Sequence, residues 1–380
     1  MSGVVIIGAG HAAGQAAASL RQAKYEGDIT IIGDEAHIPY QRPPLSKAYL
    51  KGEQSADKVY LRAESFYADR NITMKLSTTA TAIDTAAKTV ALNTDETLSY
   101  DHLLISTGSR PRKLSIEGSG LPGIHYLRTM DDVDGLREGM RPDANLVIVG
   151  GGYIGLEGAA VGRELGLNVH VLEMEERILQ RVTTPEMSAY YPQLHEGRGV
   201  HIHTSTGVTG FAGDGKVEEV ICGDQHFAAD IVIVGIGIIA NTELAEAAGI
   251  HCDNGIVVDE HCRTSDPFVY AAGDCTNHPN PLLDRRLRLE SVPNAMDQAR
   301  VSTANMLGDE KTYAAIPWFW SDQYELKLQM VGFSADGDTQ VLRGDMASNQ
   351  FAVFYLKDGK VVAADAVNSP KEFMLCKQLV

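Results

Sequence analysis

At 380 residues the chain is longer than one hydrophobic core usually organises, so two or three domains are expected. A hydrophobic fraction of 44% with 22% charged residues describes a folded globular chain, not a disordered one. The formal net charge of −17 repels a polyanion over most of the surface, which argues against DNA or RNA as a partner.

In chain order, the first element is a β-branched run, Val4 to Ile7. It is too short for a signal peptide or a membrane span and reads as a buried strand, so no membrane association and a cytoplasmic location are the default expectations. Gly8, Gly10 and Ala13 follow at once in G-x-G-x-x-A spacing, then a helix-forming stretch from Ala16 to Gln22 and a second strand, Ile29 to Ile32, ending in Gly33, Asp34 and Glu35. Gly8 permits a tight turn, Gly10 lets the backbone approach a pyrophosphate, and Ala13 is small enough for close helix–strand packing. The helix start offers unpaired N–H groups to phosphates, and Asp34 or Glu35 can accept hydrogen bonds from a ribose.

The same design returns further on. The strand Leu146 to Val149 leads into Gly150, Gly152, Tyr153, Ile154 and Gly155, a helix through Glu157 to Leu165, and a strand Val169 to Leu172 that ends in Glu173. Glu173 lies 18 residues after Gly155, close to the ribose-binding spacing. An acid there repels a 2′-phosphate and favours NAD over NADP, while Arg177 nearby opposes that preference. Gly235 and Gly237, after the apolar strand Ile231 to Val234, suit close approach of a dinucleotide or a plain domain crossover. Two sites imply two dinucleotides, one resident and one exchanging.

The five cysteines form no C-x-x-C pair and no zinc-ligand spacing, so scattered reduced thiols and no metal are expected. His11, inside the first turn, reads as a local hydrogen-bond donor or a spacer before it reads as catalytic. Trp318 and Trp320, the only tryptophans, flank Phe319 and are followed by Ser321, Asp322 and Gln323. Such clusters are usually core, but the polar flank suggests the edge of a site.

Further segments carry a resemblance. Residues 103–111 (LLISTGSRP) and 264–274 (TSDPFVYAAGD), with the paired glycine turns, resemble the FAD-dependent pyridine-nucleotide oxidoreductases of the glutathione-reductase fold. Residues 39–47 (PYQRPPLSK), 126–129 (YLRT), 290–295 (ESVPNA) and 317–324 (PWFWSDQY) narrow it to the ferredoxin reductases of bacterial oxygenase systems, of the putidaredoxin-reductase and biphenyl-dioxygenase-reductase type. Chains of that family run a few tens of residues past the position of Val380. The dithiol of the family's disulfide reductases has no counterpart, because no cysteine precedes Cys222.

The resemblance implies an α/β fold: two Rossmann-like doubly wound dinucleotide-binding domains and a small C-terminal α+β domain. The FAD domain would comprise residues 1–110 and 238–312, the NAD domain 111–237 and the C-terminal domain 313–380, with residues 350–356 in its sheet. It implies FAD contacts at Gly8, Gly10, Ala12, Asp34, Glu35, Arg42, Lys47, Ala80, Thr107, Gly108, Arg128, Asp274 and Val292. NAD would meet Gly150, Gly152, Tyr153, Ile154, Gly155, Glu173, Gly235 and Gly237. Lys47, paired with Glu157, would stand by the reactive edge of the flavin, with a plain surface ion pair as the bland alternative. Trp320 would lie near the electron exit. Arg62 and Arg300 match basic positions around the ferredoxin contact, and Lys327 and the cluster Arg285, Arg286 and Arg288 are argued from charge alone. The implied activity is hydride transfer from NADH to FAD and single-electron delivery to a two-iron two-sulfur ferredoxin that feeds an oxygenase, by a monomer or weak dimer. Rubredoxin, a small quinone, monodehydroascorbate or oxygen are rival acceptors. A redox-sensing flavoprotein resembling apoptosis-inducing factor is the rival of another class.

Overall fold

The computed structural model describes residues 3–380. By packing, the chain divides into two compact units: one holds the chain up to Gln41, Ala56–Arg110 and Ile239–Pro317, and the other holds Arg42–Ser55, Pro111–Ile238 and Trp318–Val380.

In the first unit the strand Gly3–Ile7 is central. It pairs in parallel with Ile29–Ile32 on one side and Thr97–Ile105 on the other. Ile72–Lys75 extends the sheet beyond Ile29–Ile32, and the antiparallel pair Thr89–Leu92 and Ala80–Asp84 extends it past Thr97–Ile105, which also pairs with Val269–Ala271. Both faces are covered, which explains the unbroken β-branched run: Val4 and Ile6 enter one apolar cluster, Val5 and Ile7 the opposite one. The helix His11–Gln22 begins five residues before the stretch read from its propensity. Its buried face is Ala12, Ala13, Ala16 and Ala17, small enough to hold the helix close to the sheet and against the helix Val292–Met306.

The second unit repeats the plan. Val200–His203, Asn168–Leu172, Asn145–Val149, Ile231–Val234 and Ile124–His125 form an all-parallel sheet, with the helix Tyr153–Glu164 following the central strand. In both units the strand order reverses at the strand that carries the glycine turn. Such a switch point opens a crevice at the strands' carboxyl ends, the usual ligand position in a doubly wound sheet. Residues 318–380 form a five-stranded antiparallel sheet with the helix Pro370–Leu379 on it, and the strand Gln350–Lys357 lies inside that sheet. No helix among the described residues is long and apolar enough to cross a membrane.

Candidate functional site

The first glycine turn is dictated by its neighbours. Gly8 has φ of +101°, and a Cβ there would lie 2.2 Å from the Ser106 carbonyl oxygen, so no side chain fits. Gly10 caps the helix His11–Gln22 with extended backbone, and nothing lies within 4 Å of the place a Cβ would take. The space beside the helix start is therefore open, as the approach of a phosphate to helix N–H groups requires. The same unit holds other expected residues. Gly273, at φ +93°, sits between Ala12 and Ala295, and Asp274 next to it accepts a hydrogen bond from Ser109 Oγ at 2.8 Å. Thr107 and Asn241 exchange two hydrogen bonds, of 2.7 and 2.9 Å, beside Gly108. Val292 opens the helix capped by Ser291. Ala80 begins an antiparallel strand, Asp34 is exposed, and Glu35 accepts from Tyr40 OH at 2.5 Å.

The second turn has the same logic with different walls. Gly150 has φ of +105° and a Cβ there would meet the Gly235 carbonyl at 2.5 Å, whereas Gly152 again faces open space. A Cβ on Gly155 would lie 2.3 Å from the Gly150 carbonyl, so the third position must be glycine here. Gly237, at φ +104°, lies just beyond the strand Ile231–Val234. Tyr153 OH donates to Met330 Sδ at 3.0 Å. Glu173 is tied into its own turn, accepting from Gly151 N at 2.6 Å and Glu175 N at 2.9 Å, which aims its remaining lone pairs. Arg177 spends its guanidinium on the carbonyls of Thr183 and Gln180, both at 3.1 Å, instead of standing free to receive a 2′-phosphate.

The same unit holds Lys47 and Glu157. Lys47 follows the short helical turn Pro43–Ser46, and its Nζ is 2.6 Å from Glu157 Oε2. Glu157 is 2% exposed and Lys47 19%, so this is no surface ion pair. Ser46 Oγ donates to the same carboxylate oxygen, and Ser321 Oγ donates to Oε1 at 2.7 Å. Neither serine is legible as a partner in the sequence, since they stand 111 and 164 residues from Glu157. Arg42 Nη1 donates to the Arg128 carbonyl. Trp320 is half-buried and its ring centroid lies 5.6 Å from that of Trp318, which Lys377 Nζ covers at 4.5 Å.

The basic candidates differ in how free their charge is. Arg62 and Arg70 lie on the Phe66 ring at 4.8 and 4.3 Å. Arg300 pairs with Asp297 and also reaches Gln15 Oε1 at 3.4 Å, while Lys327 is exposed. The Arg285 cluster does not present a common face of free charge. Arg286 donates to the Val258 and Asn277 carbonyls, and Arg288 pairs with Glu290 at 2.8 Å. Four of the five thiols are buried and Cys252 is half-buried. Burial pushes Cys222 up, Cys252, Cys275 and Cys376 to about 11, and Cys262 higher still. Among the described residues no group of three or more His, Cys, Asp or Glu side chains could hold a metal ion.

Two doubly wound folds in one chain, each with a phosphate-ready glycine turn, define a flavin- and nicotinamide-linked oxidoreductase. The family profile described as pyridine nucleotide-disulphide oxidoreductase matches residues 2–299, and that of the reductase C-terminal domain matches 318–380. Putidaredoxin reductase CamA of Pseudomonas putida is 46% identical, across 99% of this chain and 91% of that protein. The ferredoxin–NAD(+) reductase component of the anthranilate 1,2-dioxygenase system of Burkholderia cepacia is 42% identical, across 99% of this chain and 93% of that protein. The crystal structure of the covalent putidaredoxin reductase–putidaredoxin complex superposes with a TM-score of 0.96 at 45% identity, covering 99% of this chain and 92% of that chain. The chain belongs to the pyridine nucleotide-disulphide oxidoreductase family and is of the putidaredoxin-reductase type within it.

Proposed function

We propose that this chain is an NADH-dependent ferredoxin reductase that supplies an oxygenase, with a two-iron two-sulfur ferredoxin as its transient acceptor. The observation that carries the reading is the state of the thiols: none precedes Cys222, and burial keeps the five protonated at neutral pH. Without a dithiol relay, electrons must pass directly to an outside acceptor.

FAD, when bound, would supply the chemistry, taking two electrons as hydride and releasing them singly. Gly8, Gly10, Ala12, Asp34, Glu35, Ala80, Thr107, Gly108, Asp274 and Val292 would hold it, with Arg42, Lys47 and Arg128 as its cationic contacts. The open space above Gly10 and the positive φ of Gly8 fit a closely approached pyrophosphate. NADH would meet Gly150, Gly152, Tyr153, Ile154, Gly155, Gly235 and Gly237, and Glu173 would accept from the adenosine ribose. With Arg177 engaged by its own loop, Glu173 acts unopposed against a 2′-phosphate.

Lys47 would place an ammonium where negative charge develops during reduction, held there by Glu157. Trp320 would stand near the exit of the electrons. Arg62, Arg300 and Lys327 would offer local positive charge to an acidic partner on a surface of net charge −17. The protein would act in the cytoplasm as a monomer or weak dimer, in keeping with a shuttle that must release its partner.

The test is NADH-driven cytochrome c reduction with and without a two-iron ferredoxin, NADPH being run in parallel. Strong dependence on the ferredoxin, NADH preferred, and rates that fall as salt rises are the expected results. A flavin that is reduced by NADH but delivers no faster to any ferredoxin would move the assignment to another acceptor.

A further inference from the structure

A carboxylate as buried as Glu157 must have both oxygens satisfied, and Lys47 with Ser46 satisfies only Oε2. The donor to Oε1 arrives from the C-terminal sheet as Ser321. Behind it runs a chain whose direction can be worked out. Gln323 Nε2 donates to Ser321 Oγ at 3.2 Å, which frees the serine proton to point at Glu157. Gln323 Oε1 can only accept, so the His195 nitrogen 2.8 Å from it, Nε2, carries the hydrogen. His195 Nδ1 is then the acceptor for Tyr324 OH at 3.3 Å. The neutral imidazole this requires is what burial produces, His195 being lowered to about 4. Every link therefore donates toward one carboxylate, and aligned hydrogen bonds of this kind polarise one another.

We propose that Ser321, oriented by Gln323 and His195, is a positioning residue for flavin reduction: it fixes the Glu157 carboxylate and, through it, the Lys47 ammonium. The inference rests on the role of Lys47 proposed above. A plain need to satisfy a buried acid does not call for three further side chains on two separate elements, all aligned in one sense. The segment 318–323 thereby enters the reductive step as well as any contact with the acceptor.

The test compares Ser321→Ala and Ser321→Thr in the FAD-loaded protein. Three quantities are read: the limiting rate of flavin reduction by NADH in anaerobic rapid mixing, the NADH concentration giving half that rate, and the carboxyl carbon resonance of Glu157. That resonance is read in protein labelled with carbon-13 glutamate and assigned against Glu157→Gln. Ser321→Ala is expected to displace the resonance and lower the limiting rate about tenfold, with half-saturation unchanged, and Ser321→Thr to restore both. An undisplaced resonance, a displaced one with an unchanged rate, or a loss confined to half-saturation each overturns the proposal. Glu157→Gln separates the two levels. If it is reduced at the wild-type rate, the reading of Lys47 itself falls; if it is slow while Ser321→Ala is normal, only the positioning role falls. Should Ser321→Ala not retain FAD, Gln323→Met keeps the hydroxyl and removes its donor, and the same displacement is expected at smaller size.

Discussion

The two glycine turns share a backbone design and differ in enclosure. Both begin with a glycine at positive φ pressed against a carbonyl, and both leave open space over the second glycine. At the next-to-last position of the motif, however, Ala12 is 5% exposed and Ile154 is 43% exposed. The helix after the first turn is packed as well: a Cβ on Gly14 would lie 2.9 Å from Pro39 and 3.0 Å from Leu61. One fingerprint thus has its helix start more deeply packed in the first unit than in the second, the direction a resident cofactor and an exchanging substrate would require. Motif identity points to a dinucleotide in both units, and the packing around it sets the two turns apart.

The largest effects break that comparison at its first glycines. Gly8→Val and Gly150→Val each force a branched side chain into positive φ, a strain of about 1–3 kcal/mol before the carbonyl clash is counted. Gly8→Val is expected to give protein without flavin. Gly150→Val should keep the flavin spectrum while NADH no longer saturates reduction; loss of flavin from both, or from neither, would contradict the division of labour. Next comes Lys47→Met, expected to slow flavin reduction by NADH about 10- to 100-fold while FAD stays bound. Unchanged reduction kinetics in rapid mixing would reject the role. A smaller change is expected for Glu173→Gln, which should weaken the preference for NADH over NADPH by about tenfold without altering flavin content. Parallel saturation curves for the two nucleotides decide it.

The last prediction leaves the nucleotide sites and concerns a buried acid of the second unit. Asp365 accepts from Tyr355 OH and Thr183 Oγ1, yet burial outweighs both and raises it from 3.8 to about 6. The folded chain then binds this proton more tightly than the unfolded one, so the group subtracts stability as pH rises from about 4 to about 6. His195, lowered from 6.5 to about 4, has the opposite sign across the same window and gives up stability as pH falls. Asp365→Asn should therefore match the wild type near pH 4 and exceed it above pH 6, by at most about 3 kcal/mol. Thermal unfolding midpoints at the two pH values test it, and a gain already present at the acid end would refute the cause given.

Much of this was legible in the sequence because its cause is local. A β-branched strand buried on both faces, followed by glycines that alone can take positive φ, leaves its mark within a dozen residues. The helix start at His11 was missed because the turn residues preceding Ala16 look irregular until packing against the sheet is known. The donors around Glu157 were out of reach for a different reason. Ser46, Ser321, Gln323 and His195 meet only through the fold, and a serine among polar residues carries no signal of what it donates to. The arginines make the same point in reverse: composition counted Arg177 and Arg286 as free positive charge, whereas backbone carbonyls hold them both.

The buried thiols have a practical corollary for anyone wishing to watch this protein meet its acceptor. Maleimides and spin-label reagents react with thiolate, and burial with raised proton affinity leaves the native cysteines nearly silent at neutral pH. The wild-type chain thus offers a low background for labelling, with half-buried Cys252 the most accessible of the five. A single Lys327→Cys substitution, at an exposed position, would carry the one fast-reacting handle and turn docking into a fluorescence or distance signal without stripping the natural cysteines first.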